Sequence, residues 1–291
     1  MPSLEGKVEM KNPLIRLRDI SKYLSDSERL VAEYLLGEPD AVMNHNIREL
    51  ADKLYVSPST IVRFCKQLGF SGYREFRQAV IYELAMYDKS RRQENSDIAR
   101  DDTIERIAEK ITNKNILSLQ ETGNLIDTGI LKKCVELLLS ARNVLLFGIG
   151  ASQCVAKDAY LKFLRLNKPC FTHEDWHAQL LMAKNATKKD VGIIISYSGE
   201  TAEMVECMRE LANNQTPTIA VTRFAPSTIA SNVTYILYVS AEESVFRSGA
   251  ISSRIAQLNV IDILYTAYAS LNYDESMKYL QKTHIEKRDR R

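Results

Sequence analysis

The period of apolar and polar positions changes along this 291-residue chain. From Leu14 to Ala85 the apolar spacing is helical, and no strand-like alternation persists. Ser27 precedes the stretch Glu28–Leu36, read as a helix that stops at Gly37 with Pro39 beyond it. A shorter helix is expected over Ile47–Lys53. After Leu54-Tyr55-Val56, Ser57 caps a third helix. Pro58 takes its first position, where a missing N–H costs nothing. That helix runs to Leu68 and ends at Gly69. Ile61, Phe64, Cys65 and Leu68 share one face and are expected in the core. Ser59, Thr60, Val62, Arg63, Lys66 and Gln67 stay on or near the open face.

Between Met86 and Asp102 the apolar period is lost in a charged, polar run, the pattern of a linker or a solvated helix extension. A helix restarts at Thr103. Strands are expected at Asn143–Phe147, Val191–Ser196, Thr218–Thr222 and Tyr235–Val239, with a shorter one near Pro169–Thr172. Helical segments separate them, and this alternation implies a mostly parallel, doubly wound α/β sheet covered on both faces. The expected organisation is an all-α domain at 12–87, a linker at 88–102, an α/β domain at 103–280 and a basic, disordered tail at 281–291.

Composition narrows this picture in few places. No apolar run approaches the ~18 residues a membrane span requires. Five scattered cysteines without a C-x-x-C fit a reducing cytoplasm and argue against a zinc site. The net charge of +2 does not itself suggest nucleic acid. Local charge does: from Ser57 to Val80 the chain carries Arg63, Lys66, Arg74 and Arg77 against the single acid Glu75. Helix, short turn and capped helix is a helix-turn-helix layout, whose second helix enters the DNA major groove. A basic patch there is the electrostatic footprint of duplex DNA, although charged helix faces are also commonly just solvated. The residues expected at DNA are Ser57, Ser59, Thr60, Arg63, Lys66, Gln67, Tyr73, Arg74 and Arg77. Arg63 can fork onto a guanine or a phosphate and Lys66 can neutralise a phosphate. For Tyr73, a phosphate hydrogen bond and packing against the third helix are equally open.

The run Ile193-Ile194-Ile195 ends in Ser196-Tyr197-Ser198-Gly199-Glu200-Thr201, a turn with three small hydroxyls and a glycine before a helix-like segment. Ligands of open α/β sheets sit where strand ends meet helix N-termini, and free N–H groups there suit a phosphate. Helix capping alone would need one hydroxyl. A second strand-turn-helix unit lies at Val144–Ser152. Its Gly148-Ile149-Gly150 lacks the third glycine of a dinucleotide fingerprint, and the chain has no P-loop sequence.

Gly148 to Ser152 as G-x-G-x-S, with Ser196 to Thr201 as S-x-S-G-E-T, resembles the sugar isomerase (SIS) domain, a phosphosugar-binding α/β module, over about residues 105–275. The resemblance implies that Ser152, Ser196, Ser198 and Thr201 hold a sugar phosphate, with Gly199 allowing close approach. Tyr197 stands where some family enzymes have Gln. Glu242-Glu243, Arg247 and the Ser252–Leu258 stretch resemble the aminosugar isomerases, which implies sugar contacts for Glu243 and phosphate or subunit contacts for Arg247 and Arg254. Surface charge at a helix start is an equal reading of those residues.

The segment Ile47–Tyr73, with V-S-x-x-T-[IV]-x-R-F, L-G-[FY] and G-Y, is similar to the DNA-binding domain of RpiR-type bacterial regulators, which join it to a C-terminal SIS domain in this order. Tyr55 occupies a turn position where glycine is frequent, so a wider turn is expected. The resemblance implies a cytoplasmic regulator, in the repressor sense, of sugar or aminosugar genes. It binds operator DNA and a phosphosugar as a homodimer or homotetramer, and it needs no cofactor. SIS domains pair through helices flanking the sheet, and the apolar run Ile255–Leu271 is a candidate for that surface. The other reading is a phosphosugar isomerase or lyase with an accessory helical domain. Family enzymes use a Glu base with a late His and Lys. Here Glu243 would be the base, but beyond Arg254 the only histidine is His284, and no lysine occurs before Lys278. His177 is read as facing a helix surface beside Trp176.

Overall fold

In the computed structural model the described residues are 13–20, 24–39, 41–86, 98–241 and 250–285. They fall into two compact units, residues 1–113 and 114–291. The first holds helices α1 (Pro13–Ile20), α2 (Asp26–Gly37), α3 (Ala41–Asn44), α4 (Ile47–Lys53), α5 (Pro58–Gln67) and α6 (Tyr73–Met86). Its core closes around Phe64, Phe70 and Phe76, whose rings meet edge to face at 5.4–5.9 Å, a favoured aromatic geometry. Ile61, Phe64, Cys65 and Leu68 are all fully buried, as their spacing requires.

Helix α2 starts earlier than the sequence pattern suggested. Ser25, not Ser27, is its N-cap. The reason is a Ser-x-x-Glu spacing: the Glu28 carboxylate accepts from the Ser25 backbone N–H at 3.2 Å and from its hydroxyl at 2.6 Å, the carboxylate half of a capping box. The turn between α4 and α5 is not widened by Tyr55. That residue itself adopts a left-handed conformation, φ 54°. The Val56 N–H then bonds the Ala51 carbonyl at 3.0 Å, closing α4 as a glycine would.

Helix α7 (Ile104–Leu125) contains the division between the units. The second unit continues with α8 (Thr128–Ser140), β1 (Val144–Phe147), α9 (Ala151–Arg165), β2 (Cys170–Phe171), α10 (Trp176–Lys184) and β3 (Val191–Ile195). Then follow α11 (Ala202–Asn213), β4 (Thr218–Arg223), β5 (Tyr235–Val239), α12 (Ile251–Leu271) and α13 (Tyr273–Lys282). The sheet order is β2-β1-β3-β4-β5 and every pairing is parallel. Strand alternation sends Val144 and Leu146 to a core shared with α8, α9 and α12, and Leu145 and Phe147 to one shared with α10 and α11. All five expected strands are present within one or two residues of their expected limits.

Val260, Ile261, Leu264 and Tyr268 of the Ile255–Leu271 run are buried in this protomer's own core, while Asp262, Thr266, Ser270 and Leu271 of the same run are exposed, so one side of the helix packs inward and another stays open. Glu243 and Arg247, the linker residues 88–97 and the tail from 286 lie outside the described residues.

Candidate functional site

Strand order places one site. From β1 the chain steps to β2 on one side, and from β3 it steps to β4 and β5 on the other. The switch point therefore lies between β1 and β3, and in open α/β sheets ligands bind at the carboxyl ends of the strands at such a point. Phe147 and Ile194 are register partners at those ends. The turns that follow, 148–150 and 196–201, leave the sheet side by side. These are the two turns that the sequence singled out.

Each turn is braced from beneath. The fully buried Gln179 receives the Gly148 N–H at 3.1 Å and donates to the Gly148 carbonyl at 2.9 Å, pairing with the first turn as a strand would. In the second, the Tyr197 hydroxyl donates to Ala241 O at 2.7 Å, so this side chain props the turn where some family enzymes carry Gln. Glu200 accepts from the Thr228 N–H at 2.6 Å and hydroxyl at 2.8 Å. Gly199 has φ 67°, and a Cβ there would collide with Ser227.

What the turns leave open matters more. Helices α4, α5, α8 and α10 have side-chain caps from Asn46, Ser57, Asp127 and Asp175. The caps of α9 and α11, Gly150 and Thr201, make no such bond. The Thr201 hydroxyl instead meets the buried Ser196 hydroxyl at 3.2 Å. The N-caps of α2, α12 and α13 also lack a side-chain cap bond, but here the Ser196 and Thr201 hydroxyls face each other and only Ser198 takes up a backbone N–H, that of Glu200 at 3.2 Å. Two uncapped helix N-termini at the switch point present N–H groups and positive dipole ends, which favour an anion.

The Ser152 hydroxyl, in the first turn of α9, donates to Gln257 Oε1 at 3.2 Å. Gln257 is buried, and its Nε2 has no partner among the described residues. Spacing did not mark Gln257 as a site residue, because its contact with Ser152 spans 105 positions. Arg254 is exposed in the first turn of α12 and has no ion-pair partner among the described residues. His177 is exposed and lies against Trp176, ring centroids 4.8 Å apart.

Replacing Gly199 by valine should cost the second unit several kcal/mol. A β-branched residue at positive φ is strained by ~1–3 kcal/mol, and the collision with Ser227 adds overpacking of similar size. Calorimetry should show the melting temperature lowered by roughly 5–15 °C. A change of less than about 2 °C would mean the turn relaxes freely and is not held in its observed shape.

The second site is the open face of α5. Ser57 accepts from the Thr60 N–H at 3.1 Å, fixing the helix start. Ser59, Arg63, Lys66, Gln67 and Arg74 are exposed. Two expected DNA residues turn inward instead. Tyr73 is buried and its hydroxyl donates to His45 O at 2.9 Å. Its hydroxyl proton is thus spent within the fold, and burial pushes its phenol up to about 12. Arg77 is half-buried, with Nε on Val42 O at 2.6 Å. Both brace the helices behind α5.

Comparison with known proteins agrees with this layout. Residues 11–87 match the helix-turn-helix domain of the rpiR family, and residues 137–267 match the SIS domain. An uncharacterized HTH-type transcriptional regulator of Caldanaerobacter subterraneus subsp. tengcongensis is 36% identical over 94% of this chain and 96% of its own length. YbbH of Bacillus subtilis, described in the same words, is 34% identical over 92% and 94%. The Vibrio vulnificus NanR protein, solved as a complex with ManNAc-6P, superposes with a TM-score of 0.58 at 27% identity, covering 94% of this chain and 96% of that one. The sugar isomerase domain of an RpiR transcription factor from Sphaerobacter thermophilus shares the fold, with a TM-score of 0.56 at 17% identity over 61% of this chain and 97% of its own.

Proposed function

Because the chain belongs to the rpiR family of helix-turn-helix transcriptional regulators, we propose that a phosphosugar held between β1 and β3 modulates its binding to operator DNA. The observation that carries this reading is the pair of uncapped helix N-termini, α9 and α11, at the switch point with Ser152, Ser196, Ser198 and Thr201 around them. A phosphate dianion satisfies those N–H groups and hydroxyls together. NanR was solved with an acetylated aminosugar phosphate, which makes aminosugar and related sugar phosphates the first candidates here. The family resemblance adds Glu243 as a sugar contact and Arg247 or Arg254 as a phosphate or subunit contact.

The DNA-reading unit is assigned to 12–87, with 88–102 as linker and 103–280 as effector. Ser57, Ser59, Thr60, Arg63, Lys66, Gln67 and Arg74 form the DNA-facing set, and the regulator acts in the cytoplasm as a repressor of sugar or aminosugar genes. No described helix is long and apolar enough to cross a membrane. Phosphate binding alone supplies no chemistry, and the late His and Lys of family isomerases have no counterparts between Arg254 and Met277.

A thermal-shift screen of phosphosugars, repeated in a DNA-binding assay, tests the proposal. One sugar phosphate should both raise the melting temperature and shift operator affinity. A steady conversion of that sugar would transfer the reading to catalysis.

A two-fold operator needs two reading helices about one DNA turn apart, so the protein is assigned as a dimer or a dimer of dimers. The outer side of α12 within Ile255–Leu271 is the candidate partner surface, and the exposed Leu161 and Leu164 of α9 are a second one. Light scattering at micromolar protein should give at least twice the chain mass. A monomer with full operator affinity would contradict the assignment.

A further inference from the structure

A carboxylate from α2 reaches the DNA-facing side of α5. Glu28 is buried, 4% exposed at its side chain, yet it makes an ion pair from Oε1 to the Nε of the exposed Arg63 at 2.8 Å. The same oxygen accepts from Gln67 Nε2 at 3.2 Å, while Oε2 accepts from the Ser25 hydroxyl at 2.6 Å and its N–H at 3.2 Å. Burial pushes the Glu28 carboxyl up, but the hydrogen bonds from Ser25 and Arg63 together outweigh it. The group therefore sits below its ordinary value and is ionised at neutral pH.

This arrangement is costly unless the carboxylate is well satisfied, since an unpaired buried charge is strongly unfavourable. Ser25 holds one oxygen in place, so the other is a fixed point at which Arg63 and Gln67 converge. Arg63 is anchored by its Nε alone. Its two Nη groups have no partner among the described residues, and its side chain is 63% exposed. An anchored Nε leaves the end of the guanidinium facing outward, and the two Nη groups match guanine O6 and N7.

We infer that Glu28 is a positioning residue for base readout: it holds Arg63 by Nε so that the Nη pair meets one guanine end-on. This rests on the proposal that α5 reads DNA. An arginine free to swing would pair with phosphates as readily as with a base, because phosphate contacts carry no sequence information. The carboxylate costs general affinity, as a negative charge beside a polyanion must, and returns selectivity at one base pair.

The opposing signs give the test. Full-length wild type, Glu28→Gln and Arg63→Ala are each used to select from a random-sequence 30-base-pair duplex library, and the bound fractions are sequenced. Binding to one unrelated duplex is measured alongside. Arg63→Ala should lose about 5- to 150-fold preference at one base pair, the range for a bidentate contact. Glu28→Gln should relax that same base pair about tenfold or more while binding the unrelated duplex as tightly as wild type or tighter. The double variant should be no more relaxed there than Arg63→Ala alone.

An undiminished preference in Glu28→Gln overturns the inference. So does equal loss on every sequence, which would mean that α5 had been displaced. Should Glu28→Gln fail to fold, Glu28→Asp keeps the charge but withdraws the carboxylate by one methylene, and a full wild-type preference in it overturns the inference equally. If wild type enriches no sequence at all, it is the DNA-reading proposal that falls.

Discussion

Replacing Ser196 and Ser198 together by alanine is expected to abolish the response of operator binding to the phosphosugar while leaving DNA affinity in its absence unchanged. Hydrogen bonds to a charged group contribute about 1.5–3 kcal/mol each, so losing two hydroxyl donors should weaken ligand binding by roughly 10²- to 10⁴-fold. Fold stability should change little. The Ser196 hydroxyl bonds only the Thr201 hydroxyl, at 3.2 Å, and the Ser198 hydroxyl accepts one exposed N–H, from Glu200, at 3.2 Å. The turn's shape comes from Tyr197, Glu200 and Gly199, all of which remain. Fluorescence anisotropy of a labelled operator, titrated with the phosphosugar, reads the effect. A wild-type ligand shift in the double variant would move the pocket elsewhere.

The second large effect is expected on the DNA side. Arg63→Ala should cost about 1–3 kcal/mol of operator affinity, chiefly as lost discrimination at one base pair. Lys66→Ala should weaken all sequences alike and make the salt dependence shallower by about one phosphate contact. The difference follows from how the two side chains are held. Arg63 is pinned by Glu28, whereas Lys66 is an exposed cation near the C-terminal end of α5. Operator affinity measured across a salt series separates them. Unchanged affinity in both variants would remove α5 from DNA recognition.

Much of this architecture was legible in the chain because its signals are local. Strands β1 and β3 announced themselves as apolar runs ending in glycine- or serine-bearing turns, and their C-terminal ends could be placed from the turn residues that follow. Ser57-Pro58 fixed the start of α5, and its four core positions followed from helical spacing. What escaped depends on distance along the chain. Glu28 meets Arg63 across 35 positions and Ser152 meets Gln257 across 105, and no periodicity relates such pairs. Tyr73 and Arg77 carried the right chemistry for DNA, but their hydrogen bonds to His45 O and Val42 O, which no spacing announces, show that they also hold the fold. The Ile255–Leu271 run was legible as apolar, but which of its residues face this protomer's own core is decided by packing across the sheet. One local signal was passed over: Ser25-x-x-Glu28 is a capping-box spacing, and it would have set the start of α2 correctly.

The central claim is that the β1/β3 switch point and the reading helices are thermodynamically coupled through one phosphosugar. Coupling of this kind arises only if the ligand binds two arrangements of the regulator with different affinity, and it must be reciprocal. Typical values of about 1–3 kcal/mol correspond to a ~5- to 150-fold change. Isothermal titration of the phosphosugar into the wild-type protein, with and without saturating operator duplex, measures it directly. The account predicts that the duplex changes phosphosugar affinity by the same factor by which the phosphosugar changes operator affinity. Identical phosphosugar affinity with and without operator would contradict it.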